Sequence, residues 1–150
     1  IYGQNQLKCW LHVKDSLYVT TFCINNLLCE KQMNSESVQK LVEEQISAIS
    51  DNDRQFALRA IVVNPYMELR EWDYAENTKY QCWIIAEPKN DNYVFAFCNK
   101  GFGPNAPWGI IKKDIHGSMG PDACWYTYLD DLFIGAGRWD GSKPKNFEVR

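Results

Sequence analysis

Tyr80–Cys98 reads YQCWIIAEPKNDNYVFAFC, and this stretch decides the fold. Cys82, Trp83, Ile84 and Ile85 on one arm and Val94, Phe95, Ala96 and Phe97 on the other flank the turn-forming run EPKNDN. Apolar, β-prone arms around such a run predict a β-hairpin. Arms this continuously apolar predict central strands covered on both faces. With the turn centred on Asn90, Cys82 and Cys98 stand opposite one another, where a bridge is geometrically feasible.

Upstream, Val38, Leu41, Val42, Ile46 and Ile49 form the stripe of an amphipathic helix, with Asn34 or Ser35 as its cap. Glu36, Lys40, Glu43, Glu44 and Ser47 make its wet side, and Asp51-Asn52-Asp53 ends it. Leu58–Val63 is a short β-branched run closed by Asn64-Pro65 and followed by Tyr66–Trp72. Nearer the start, CWLHVK and LYVTTFCI predict two strands about Asp15-Ser16; a helix through INNLLCEKQ is the competing reading of the second.

Downstream, Trp108–Lys112 predicts another strand. Thr127 then opens a last helix, with Asp130 three residues on as a shortened capping box and Gly135 or Gly137 as its end. The expected architecture is α+β in a single domain over 1–150. A mainly antiparallel sheet of five or six strands carries one amphipathic helix on a face, and a short C-terminal helix closes the chain.

Composition fits that picture. The chain has 150 residues, 45% hydrophobic and 23% charged, within the globular range. No apolar run is long enough to span a membrane, and no basic-then-apolar leader opens the chain. Net charge is −3, but Glu30–Asp91 alone carries −5 while the part from Gly101 onward balances. Nucleic acid is therefore not the expected ligand, because phosphate needs a basic surface, and a basic protein partner is favoured. Six cysteines suit either a disulfide framework, by their even count, or free thiols. The absence of a CxxC, and a chain long and apolar enough to need no staples, favour free thiols in a reducing compartment. Two histidines not spaced for zinc predict no metal or cofactor.

Several residue sets invite a chemical reading. His116, Asp122 and Cys124 could form a thiol–base–orienter site, but no nucleophile motif surrounds them, and packing of Cys124 beside Trp125 is the simpler account. His12 lies in an alternating run and reads as a strand position. The loop GFGPNAP lacks the third glycine of a phosphate cradle, and Pro104 removes an N–H that a cradle would use. Asp130 and Asp131 point about 100° apart on a helix and suit its N-terminal dipole. Glu71, Trp72, Asp73, Tyr74 and Glu76 differ from these. They mix large amphipathic rings with negative charge, the composition of an interface anchor with steering acids. Glu43 and Glu44 are the second acidic choice.

YQCWIIAE (Tyr80–Glu87), CNKGFGPNAPWGII (Cys98–Ile111) and SMGPDACWYTYLDDLF (Ser118–Phe133) resemble a group of small bacterial proteins. These pair a GFGP-x3-WG loop with a downstream SMG-x-D-x2-W segment and a short acidic helix. The group is the immunity proteins of polymorphic and contact-dependent growth inhibition toxin systems. Pro121 and Tyr128 depart from the pattern, and residues 1–75 match none of it. The resemblance implies a cytoplasmic, non-catalytic antitoxin that binds a cognate protein toxin, such as a basic nuclease. It makes Trp108 and Trp125 buried scaffold. The alternative is a small enzyme or ligand-binding domain using the Gly101–Pro107 loop and His116.

Overall fold

Asn34 sets the start of helix α1 (Ser35–Ser47) by a reciprocal cap. Its Oδ1 accepts from the Ser37 N–H at 2.8 Å, and Ser37 Oγ accepts from the Asn34 N–H at 3.0 Å. The computed structural model describes residues 32–113 and 117–135. The chain divides into two units, Ile1–Met33 and Asn34–Arg150, and every helix and strand of the described residues belongs to the second. The expected strands before Ile24, His12 and single-domain status for 1–150 lie outside the described residues. Val38, Val42 and Ile46 are the buried side of α1, while Glu36, Lys40, Glu43, Glu44 and Ser47 are exposed, as the stripe predicts.

Asp51-Asn52-Asp53 ends nothing; it begins a second helix. Asp51 caps α2 (Asn52–Arg59), its carboxylate accepting from the Arg54 N–H at 2.9 Å. Leu58 therefore belongs to a helix, not to the β-branched run expected from Leu58 to Val63. The strand β1 is Val62–Glu71, continuous through Asn64-Pro65. Proline survives there because β1 is the edge strand among the described residues and the β1–β2 register shifts between Val62 and Tyr66.

The hairpin forms as expected: β2 (Lys79–Ala86) and β3 (Tyr93–Phe97) pair antiparallel, with Trp83 opposite Phe97 and Ile84 opposite Ala96. With β4 (Trp108–Lys112) and β5 (Trp125–Tyr126) they make a five-stranded antiparallel sheet in the order β1-β2-β3-β4-β5. Helix α3 is Leu129–Gly135. The fold is α+β.

Alternation sorts the sheet into two faces. Cys82, Ile84, Val94, Ala96, Cys98, Ile111 and Trp125 join Met119 in one buried cluster, roofed by Trp72, Tyr80, Phe102, Ala106 and Cys124. This roof is made of loops. The opposite face meets the helices, with Phe95 edge-on to Phe133 of α3 at 6.3 Å between ring centroids. Gln45 of α1 accepts the Leu129 N–H at 3.1 Å, which joins α1 to the start of α3. Ile84, Ile85 and Ala86 are all fully buried, as arms covered on both faces require.

Asp130 is not a capping residue. Its carboxylate is buried and held by Arg54 of α2 through Nε at 2.6 Å and Nη2 at 2.9 Å. A buried carboxylate needs a paired partner, which Arg54 supplies; Asp130 and Asp131 still lie in the first turn of α3, as the dipole reading expects.

Candidate functional site

The set 71–76 sits where β1 turns into β2. Trp72 N–H donates to the Thr78 carbonyl at 2.8 Å, and Ala75 N–H to the Trp72 carbonyl at 3.2 Å. Asn77 takes the left-handed conformation at φ +53°, which asparagine tolerates better than most residues. This turn delivers the Trp72 ring onto the loop-covered face of the sheet.

There Trp72 meets Tyr80 at 5.7 Å, Tyr74 at 5.0 Å and Phe102 at 4.5 Å between ring centroids. Tyr74 also meets Phe102 edge-on at 5.6 Å, and Phe102 meets Trp125 at 5.7 Å. The rings form a continuous path from Tyr74, 59% exposed, down to Trp125, 6% exposed. Contacts of this kind contribute about 0.5–1.5 kcal/mol each beyond area burial. The rings touch one another, so no cation fits between them; what they offer is the outer surface of Tyr74.

Gly101 makes this seat possible. Its φ is +65°, and a Cβ there would lie 2.7 Å from Cζ3 of Trp72 and 3.2 Å from Cε of Met119. Gly109 does the same for Trp125, since a Cβ would stand 2.5 Å from the indole. That indole donates to the Met119 carbonyl at 2.9 Å. Trp108 and Trp125 are both buried, as expected of scaffold. The Gly101–Pro107 loop closes on itself, Gly103 N–H donating to the Lys100 carbonyl and Ala106 N–H to the Phe102 carbonyl, each at 3.1 Å, and it packs Phe102 and Ala106 on the cluster.

The acids have different employments. Glu71 pairs with Lys79 at 3.2 Å, and its backbone bonds both Gly117 and Met119. Asp73 accepts from Ser118 Oγ at 2.6 Å, and that oxygen accepts from the Gly120 N–H at 2.9 Å. Both acids therefore anchor the 117–120 segment to the turn. Glu76 is exposed, and its carboxylate has no partner among the described residues. It is the acid free to meet another molecule.

Glu43 and Glu44 lie apart from this group, on α1. Both Glu43 oxygens bind Arg59 of α2, with Ser47 adding a third bond at 3.0 Å. The Arg59 hydrogen bonds hold the Glu43 carboxyl below its usual value. Glu43 thus joins two helices, and Glu44 is an exposed neighbour. The structure does not bring the two acidic sets together by any bond.

Phe102, Tyr80 and Ser118 belong to the site and were not singled out from sequence. The signal for Phe102 is its place between Gly101 and Gly103 in a loop rich in backbone-special residues. His116 lies outside the described residues. Asp122 accepts from the Ala123 N–H at 2.8 Å, and Cys124 packs half-buried against the cluster. No group of three metal-ligating side chains occurs among the described residues. No helix among them is long and apolar enough to cross a membrane. No protein-family model, curated protein or solved structure matches the chain.

Proposed function

We propose that this protein is an immunity protein: it binds a cognate protein toxin and neutralises it by occupancy, without turnover. The observation that carries this reading is the fixed aromatic path ending in exposed Tyr74, beside a Glu76 carboxylate that is unpaired among the described residues. A rigid tyrosine over a packed base is the form of an interface anchor, because it offers area at little loss of freedom. The −5 charge between Glu30 and Asp91 favours a basic toxin, such as a nuclease, by steering its approach. Neutralisation then takes place in the cytoplasm, where such a toxin acts.

The test is co-expression with the toxin encoded immediately upstream of this chain's gene. The reading expects growth to be protected, a stable complex on gel filtration, and a weakening of both on Tyr74→Ala with the fold intact. Protection that survives without a complex would replace this reading with an enzymatic one.

A further inference from the structure

We propose that Cys82 and Cys98 are a redox-active pair that closes to a cross-strand disulfide on meeting a small-molecule disulfide oxidant, fastening the base of the 98–107 loop to β2. This is independent of toxin binding and does not rest on it.

The register carries the argument. Trp83 faces Phe97 and Ile84 faces Ala96, so the next pair along is Cys82 with Cys98. Cys98 donates its N–H to the Pro107 carbonyl at 2.9 Å, on the β4 side. The N–H and C=O of a strand residue point the same way, so Cys98 turns its backbone away from β2. Cys82–Cys98 is therefore a non-hydrogen-bonded pair, the type whose Cα atoms lie about 4.5 Å apart with side chains closest. Disulfides span Cα separations of about 4.4–6.8 Å. Both thiols are free and fully buried.

Interaction between the two side chains lowers the Cys98 thiol, helped by the Lys100 backbone, and raises the Cys82 thiol, whose burial adds to the rise. Cys98, where the loop begins just beyond β3, attacks and Cys82 resolves. Cys98 attacks one sulfur of an oxidant such as oxidised glutathione, expels one small thiolate and leaves a mixed disulfide. Cys82 loses its proton and attacks the Cys98 sulfur, expelling the second small thiolate. Two protons and two electrons leave the protein, and both reduce the oxidant to two small thiols. Both thiols lie in the buried cluster beside the central strand β3, so an oxidant reaches them only when the core opens. Closure is accordingly slower in the folded chain than during refolding.

The loop that closure would fasten is the one that seats Trp72 on Gly101 and Phe102. The test uses the full reduced chain with oxidised glutathione, both folded and refolding from denaturant, followed by non-reducing peptide mapping. The expected product is a Cys82–Cys98 cross-link, reversed by dithiothreitol, that raises the melting temperature by roughly 5 °C or more. Cys82→Ala and Cys98→Ala should each lack the cross-link; the wild-type map decides even if a variant fails to fold. A chain that refolds in oxidant with both thiols still open to alkylation overturns the proposal. So does either cysteine bridged elsewhere or held only as a mixed disulfide, or a bridge that lowers the melting temperature.

Discussion

Arg54 and Asp130, 76 residues apart in sequence, meet in a bidentate pair buried on both sides. The pair ties α2 to α3. Asp51 stands 3.7 Å from a third guanidinium nitrogen, so the cap of α2 and the pair share one arginine.

Removing one partner leaves an uncompensated buried charge. Asp130→Ala should therefore lose about 3–5 kcal/mol in urea denaturation, whereas the joint change Arg54→Met/Asp130→Leu should recover most of that. A loss under about 1 kcal/mol for the single change would mean that water reaches the pair.

Gly109→Ala places a methyl inside the Trp125 indole. The ring must leave β4, and overpacking of this kind costs about 1–3 kcal/mol. Tryptophan emission should shift to the red in the folded variant. Unchanged emission and stability would show that Trp125 does not rest on Gly109.

The hairpin, α1 and β4 were legible in the sequence because each rests on local pattern: apolar arms about a polar turn, a stripe at helical spacing, a cap. Helix α2 was not, since NDRQFALR buries only Arg54 and Leu58 and shows no stripe. The role of Asp130 was hidden for the same reason, because its partner lies in that helix. At the site, 71–76 was readable as rings with acids. That Asp73 and Glu71 hold the 117–120 segment depends on Ser118 and Gly117, which no local pattern joins to them.

This division of labour refines the expected effect of charge reversal. Glu76→Lys should slow association with the toxin and flatten its salt dependence while leaving stability within about 0.5 kcal/mol. Asp73→Lys should also loosen the 117–120 segment and lower the melting temperature. Stopped-flow association over a salt series, with melting curves beside it, separates the two. Equal association rates for Glu76→Lys and wild type would place the interface elsewhere.

Tyr74→Ala should weaken the complex by about 2 kcal/mol or more with the fold intact. Titration calorimetry against the purified toxin measures it. A loss under about 0.5 kcal/mol would remove Tyr74 as the anchor.

Tyr66, 40% exposed, donates to Glu87 at 2.9 Å, and partial desolvation of the hydroxyl together with that bond pushes it up to about 12. The unfolded chain releases this proton first, near pH 10, so the folded state binds more protons between about pH 10 and 12. The stabilisation is complete below pH 10 and is lost as pH rises through the folded value. Tyr66→Phe should flatten the decline across that window in pH-dependent melting; an unchanged slope would assign the decline to other groups.

The interlock of Gly101 with Trp72 has a consequence for speed as well as strength. The turn's rings surrender their rotational freedom when the chain folds, so an arriving protein need not freeze them again. For the proposed interface, the heat-capacity change of binding at Tyr74 should therefore report the area covered, with little contribution from ordering of these rings.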